Sequence, residues 1–228
     1  MLSAAGLPIS AGGSVMRVMN HLSGVAGLAN RFSVMRHGQS KANVAGIIVS
    51  RIENDRRGDY GLSELGRQQA LAAARGCGLP GDTVICSSDF SRTRQTGEIV
   101  RAHLGAREVV LAEALRERGF GEWEGSPADN YARVWAADET SPGHADGNVE
   151  PVTAVLDRTT AFIVDLEQRY SSRDILLVSH GDTLRILQAG FLRMNPSRHR
   201  SLPDLATAEI RRLRLRSKLS TPRLDTPP

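Results

Sequence analysis

Two His-Gly pairs stand far apart in this chain, His37-Gly38 and His180-Gly181, and each follows a short apolar run, Phe32 to Met35 and Ile175 to Val178. A neutral imidazole is a nucleophile at pH 7, because its ordinary pKa is only about 6.5. Arg36, directly before His37, points to an anionic substrate. Nearby guanidiniums lower an imidazole pKa further and keep the ring unprotonated. Attack of the His37 nitrogen on phosphorus is therefore the chemistry this pair can carry. A lone His-Gly would read as a strand end; Arg36 and the second pair favour the chemical reading.

Other residues complete the set. Arg92 lies in Ser87-Ser88-Asp89-Phe90-Ser91-Arg92-Thr93-Arg94-Gln95-Thr96, where Ser88 or Asp89 can cap a helix. That puts Arg92 in the first helical turn, where backbone amides also attract anions and a guanidinium can grip phosphate with two parallel hydrogen bonds. Arg94, two positions on, faces elsewhere and reads as surface. A phosphomonoester also needs a proton for its leaving oxygen, which a carboxylic acid held near anions can supply. Glu117, Glu122 and Glu124 all follow the apolar run near 108–112, and residue type alone does not choose among them. His180 and the backbone amide of Gly181 can donate to phosphoryl oxygens, and Asn43 can reach them from the loop after His37.

The elements that must bring these residues together alternate along the chain. Strands are expected at 32–35, 83–87, 108–112, 174–179 and 207–215, the last as an edge strand. Helices are expected at 63–76, 89–104, 127–138, 149–170 and 182–193. Ser63 is a plausible N-cap, and Val152, Val155, Leu156, Thr159, Phe162, Ile163 and Leu166 form one stripe at helical spacing. Helices between strands imply a mostly parallel sheet covered on both faces, with ligands bound at the carboxyl ends of the strands.

The chain has 228 residues, 40% hydrophobic and 24% charged, which suits one domain with a full core. Its net charge of +4 divides into +2 from residues 1–31 and +2 from residues 216–228, leaving 32–215 neutral. A nucleic-acid face on the core is therefore not expected, and no apolar run is long enough to span a membrane. The domain is expected over 32–215, between a flexible leader at 1–31 and a disordered basic tail at 216–228. The leader also admits a mitochondrial presequence, or a translation start at Met16 or Met19. Two cysteines, Cys77 and Cys86, imply a reducing, cytoplasmic setting, with Cys86 buried and inert. A homodimer is compatible with the sequence.

Arg36-His37-Gly38 with Asn43, the Ser-x-x-x-Arg-Thr-x-Gln-Thr run around Arg92, Leu-Arg-Glu117 before Gly-Glu-Trp-Glu-Gly, and Ser-His180-Gly together resemble the histidine phosphatase superfamily. The resemblance is to the phosphoglycerate mutase-like branch with a glutamate acid, and it covers about residues 32–215. It implies a three-layer α/β/α sandwich with a mostly parallel sheet, and no metal or cofactor. It further implies a phosphohistidine at His37, phosphate binding by Arg36, Arg92 and His180, and Glu117 as the acid. Gln39 stands where the family usually has Glu, and Thr93 where Ala is common. The loop Ile47 to Gly61 lacks the usual Gly-x-x-Asp-x-Pro-Leu-Thr run and carries Arg51, Arg56 and Arg57, so substrate selection is expected there.

These residues imply a phosphomonoesterase acting on a small phosphate ester. A mutase is the nearest alternative; mutases of this superfamily carry a long insertion between acid and second histidine, whereas Glu117 and His180 are 63 residues apart. A silent phospho-ligand module is the third reading, and such a descendant should have lost a nucleophile, acid or arginine.

Overall fold

The computed structural model describes residues 19–55 and 58–217. The expectations for residues 1–18, Arg56, Arg57 and the tail from 218 lie outside the described residues. One mixed sheet contains β1 (Arg31–Arg36), β2 (Val84–Ser87), β3 (Val109–Leu111), β4 (Asp174–Ser179) and β5 (Ile210–Arg212), in the order β3-β2-β4-β1-β5. The first four run parallel, and β5 lies antiparallel on the outer side of β1. Parallel strands covered on both faces read as unbroken apolar runs, and all six residues of β4 are buried.

Among the described residues there are seven α-helices: α1 (Lys41–Ala45), α2 (Ile52–Asp55), α3 (Glu64–Gly76), α4 (Ser91–Leu104), α5 (Tyr131–Thr140), α6 (Val152–Arg169) and α7 (Gly181–Phe191). Alternation along the strands divides the core in two. Phe32, Val34, Ile175 and Leu177 face Ile163 and Leu166 of α6 and Leu184, Leu187 and Phe191 of α7. Met35, Ile85, Leu176 and Val178 face Ala70 and Ala74 of α3 and Val100 of α4. The result is the expected three-layer sandwich. Among the described residues no helix is long and apolar enough to cross a membrane.

The register of β1 on β4 sets the position of the site. Arg36 pairs with Ser179, and the His37 amide extends the ladder by donating to the Ser179 carbonyl at 3.0 Å. His37 and His180 thus leave neighbouring strands side by side. The carboxyl ends of β2 and β3 open on the same side, toward Arg92 and Glu117.

Several boundaries differ from the expectations. The edge strand is three residues, Ile210–Arg212, rather than 207–215. Neither Ser88 nor Asp89 caps α4: Phe90 stands at that position, and the Ser91 amide and hydroxyl donate instead to Asp55 of α2. A carboxylate from another segment does the work expected of a local cap, so the helix starts two residues later. The helix expected over 127–138 begins with a 3-10 turn at Ala128–Asn130 before α5. Residues 19–31 do not form a flexible leader: Leu22 is fully buried in the α6/α7 core, and Asn20 donates to the Gly190 carbonyl at 3.0 Å. Ser63 does cap α3, accepting from the Gly66 amide.

The first turn of α3 presses against the loop that follows His37. A Cβ on Gly66 would lie 2.0 Å from the Gln39 carbonyl oxygen, and one on Gly38 would lie 2.3 Å from the Gly66 carbonyl oxygen. Gly66→Ala should therefore cost about 1–3 kcal/mol of overpacking, read as a lower urea midpoint at unchanged slope.

Candidate active site

His37 is buried, and its Nδ1 lies 2.7 Å from the carbonyl oxygen of Gly38. A carbonyl can only accept, so Nδ1 carries the proton and Nε2 keeps the lone pair. Burial, then the charges of Arg92 and Arg36, hold the His37 pKa well below its ordinary value, so the ring is a neutral base. The His180 ring lies 5.3 Å away, centroid to centroid.

Arg92 is buried and largely engaged. Its Nε and Nη2 approach His180 Nδ1 at 3.2 and 3.0 Å, and Nη2 also donates to the Val49 carbonyl at 2.9 Å. Nη1 is buried with no partner. The Nε of Arg36 is likewise unpartnered, while its Nη1 donates to the Leu205 carbonyl at 2.9 Å. Buried donors without acceptors are rare in folded proteins, and two such guanidinium nitrogens on residues lining one cavity mark an anion site. The grip expected from Arg92 is narrower than two parallel bonds, because only Nη1 is left free.

His180 departs from the expected arrangement. It is fully buried behind Arg92 and is not among the residues lining the cavity. Its Nδ1 accepts from Arg92, so the proton of the neutral ring sits on Nε2, 2.9 Å from the Ser88 hydroxyl. Burial and Arg92 hold its pKa well below the ordinary value. In this arrangement His180 has no N–H directed at a phosphate and instead holds Arg92.

Glu117 lines the same cavity. Its Oε1 accepts from the Arg118 amide at 2.9 Å, the Thr183 amide at 3.3 Å and the Thr183 hydroxyl at 3.1 Å. No hydrogen bond among the described residues falls on Oε2. Burial first, then the neighbouring Asp182 charge, raise the Glu117 pKa above its ordinary value, while Arg92 opposes them. Glu122 stands away from the cavity, and Glu124 is held by Ser50, the Arg51 amide and Asn54.

Asn43 combines both of its readings. Its Oδ1 accepts from Ser40 in a capping box for α1, leaving Nδ2 as the free donor at the cavity wall. Gly181 opens α7 against Arg36, whose Cζ would lie 3.4 Å from an added Cβ. Arg94 is exposed, as expected, and burial pushes the Cys86 thiol up to about 12. The described residues contain no cluster of three or more His, Cys, Asp or Glu arranged for a metal ion.

The cavity, about 230 Å³, has a second wall that sequence reasoning missed: Tyr131 and Trp135 of α5, with Arg200 and Asp204. These residues carry no local signal, because only the folding of α5 and the 3-10 turn Pro196–Ser201 over the strand ends brings them there. Arg51 turns the other way, donating to the Gly121 carbonyl at 3.0 Å, although Ile47 and Val49 of its loop line the cavity. Under that second wall, fully buried Arg118 binds Asp138 through two bonds of 2.7 and 2.8 Å and Asp182 at 3.2 Å.

This arrangement of fold and side chains matches a known group. The chain belongs to the histidine phosphatase superfamily (branch 1), whose sequence profile matches residues 32–223. Its relatives include a glucosyl-3-phosphoglycerate phosphatase of Mycobacterium tuberculosis, 29% identical over 181 residues, or 73% of this chain and 77% of that protein. A probable phosphoglycerate mutase of Shigella dysenteriae is 32% identical over 190 residues, covering 81% and 80% of the two chains. A metal-independent phosphoserine phosphatase of Arabidopsis thaliana is 27% identical over 161 residues, covering 68% and 65%. The solved structure of a mycobacterial glucosyl-3-phosphoglycerate phosphatase with VO3 superposes with a TM-score of 0.68 at 27% identity, covering 82% of this chain and 96% of that one. The protein is a phosphatase of this family.

Two outcomes follow from the buried charges. His37 and His180 titrate below 6.5 in the fold, so the unfolded chain takes up protons first as pH falls. Their contribution to stability is full above that value and is lost as pH drops toward the folded pKa values; the thermal midpoint should fall below pH 6.5, and less steeply in His37→Gln. Arg118→Met removes the arginine that two buried carboxylates, Asp138 and Asp182, share and should cost about 3–5 kcal/mol in chemical denaturation.

Proposed function

We propose that this enzyme hydrolyses the phosphomonoester of a small metabolite through a phosphohistidine on His37, with Glu117 as general acid and then general base. The observation that carries the reading is the pairing of two complementary groups in one cavity: an imidazole whose proton is held on Nδ1, and a carboxyl whose Oε1 is fully engaged while Oε2 is free.

Substrate phosphate sits against Arg92 Nη1, Arg36 Nε, the Asn43 amide and the backbone amide of Gly181. His37 Nε2 attacks phosphorus in line, and the bond to the leaving oxygen breaks. That oxygen takes the proton from Glu117 Oε2 and departs as the alcohol. The Glu117 carboxylate then removes a proton from water, whose oxygen attacks phosphorus as the N–P bond breaks. Inorganic phosphate leaves, and both side chains return to their starting protonation states. Positioning and charge stabilisation dominate such a reaction, which suits a site built of fixed donors. His180 acts through Arg92, whose donation to Nδ1 fixes the histidine tautomer, while the Ser88 hydroxyl accepts from Nε2.

The mutase reading has less support. The stretch between Glu117 and His180 is filled by α5, α6 and β4, all parts of the fold itself. Rapid isomerisation of 3-phosphoglycerate with a bisphosphoglycerate primer would favour it over hydrolysis.

His37→Ala should abolish turnover of phosphomonoesters and the alkali-stable radiolabel expected on the quenched enzyme; full activity in that variant ends the proposal. Glu117→Gln should lose about 10²–10⁴-fold on alkyl phosphates and less on p-nitrophenyl phosphate, whose leaving group needs no proton. Because Glu117 must be protonated for the first step, kcat/KM should fall as pH rises through its raised pKa, above 4.5. The acidic limb, set by His37, should lie well below 6.5.

A further inference from the structure

Tyr131 lines the cavity that contains His37 and Glu117, and its hydroxyl has no hydrogen-bond partner among the described residues. The ring, by contrast, is held firmly. It belongs to the first residue of α5, and Trp135, one turn on, stacks against it with centroids 5.3 Å apart and planes within 7°. Phe120 meets the same ring edge to face, with centroids 4.7 Å apart and an angle of 81°. The turn before α5 is pinned as well, since the Ala128 amide donates to the Gly46 carbonyl at 2.8 Å. A rigid ring thus presents one unused O–H to the cavity.

That hydroxyl stands among the charges of the site. Burial first, then the Glu117 charge, raise the Tyr131 pKa well above its ordinary value; Asp182 adds to this, while Arg92 and Arg36 oppose it. The coupling is mutual, since Tyr131 is also among the groups acting on Arg92. A phenol held in this way keeps its proton throughout and serves as a neutral hydrogen-bond donor. The acid, both phosphate-binding arginines and the phenol therefore share one neighbourhood.

Resting on the phosphatase reading, we propose that Tyr131 is a further catalytic residue, whose hydroxyl donates a hydrogen bond to an oxygen of the phosphoryl group during its transfer to His37 and then to water. The sequence assigned such a donor to His180, whose ring instead accepts from Arg92 and faces Ser88. Tyr131 supplies a neutral donor from the opposite wall. A donor fixed before the reaction needs no reorganisation as charge shifts over the phosphoryl oxygens. No proton leaves the phenol in either step.

The test is Tyr131→Phe, which removes the oxygen and keeps the stacked ring. Its kcat should fall about 10²-fold, as when one oxyanion donor is lost, with KM changed by less than about threefold. The loss should be equal for an alkyl phosphate and for p-nitrophenyl phosphate, because the phosphoryl oxygens are common to both. Vanadate, whose five-coordinate adduct resembles the group in transfer, should bind the variant about 10²-fold more weakly, and inorganic phosphate about equally well. An unchanged kcat, a loss confined to the alkyl ester, or equal weakening of vanadate and phosphate overturns the assignment. The vanadate-to-phosphate ratio does not depend on how much of the variant is folded, so it decides even where the thermal midpoint falls. Wild-type enzyme that hydrolyses neither ester would end the phosphatase reading, while the affinity ratio judges Tyr131 on its own.

Discussion

The parallel pairing of β1 with β4 is the constraint on which the site depends. Arg36 opposite Ser179 fixes where the two strands end, and the His37 amide bonded to the Ser179 carbonyl carries the register into the loop. A slip of one residue would turn His37 to the other face, since side chains alternate across a strand. The buried faces forbid that slip: Phe32 and Val34 belong to one core, Met35 to the other. Hydrophobic packing on both sides of the sheet thus specifies the placement of a polar site at its end.

The first turn of α7 organises much of what surrounds the phosphate position. His180 holds Arg92, Gly181 lets Arg36 lie close, Asp182 pairs with Arg118, and Thr183 engages one oxygen of Glu117. Four consecutive residues therefore touch both arginines and reach the acid directly and through its neighbour. Their reach follows from geometry, because a helix that begins at a strand's carboxyl end projects its first residues over the sheet edge. The electrostatic consequence is a cavity in which one guanidinium nitrogen on each of Arg92 and Arg36 is unsatisfied, the His37 imidazole is held neutral and the Glu117 carboxyl pKa is raised. Burial does most of that work for His37, His180 and Glu117 alike.

Much of this was legible in the chain. The strand and helix positions followed from apolar runs and periodicity, and the stripe from Val152 to Leu166 is buried as its spacing implies except at Phe162, which is half-buried. His37, Arg36, Arg92, Asn43, Glu117 and Gly181 all line one cavity. What failed was local in form but not in cause. Asp55 caps α4 from a distant segment, so no cap at 88–89 was needed, and Leu22 packs the described part of the leader, residues 19–31, onto the α6/α7 core. The loop arginine Arg51 was the natural candidate for substrate selection, yet its side chain is tied to the Gly121 carbonyl.

Residue type and order determined which chemistry was available here: a nucleophilic imidazole, guanidiniums for an anion, a carboxyl for a proton, and the sheet to hold them. Those features are encoded locally, as apolar spacing and as functional groups beside strand ends. Only the tertiary structure decided which nitrogen of each histidine carries the proton, which oxygen of Glu117 is free, and that Arg200 on Trp135 forms the far wall. Except for His37, whose Nδ1 meets the carbonyl of the neighbouring Gly38, each of these depends on a partner distant in sequence, and one-dimensional spacing carries no information about which carbonyl, ring or carboxylate will meet a given side chain.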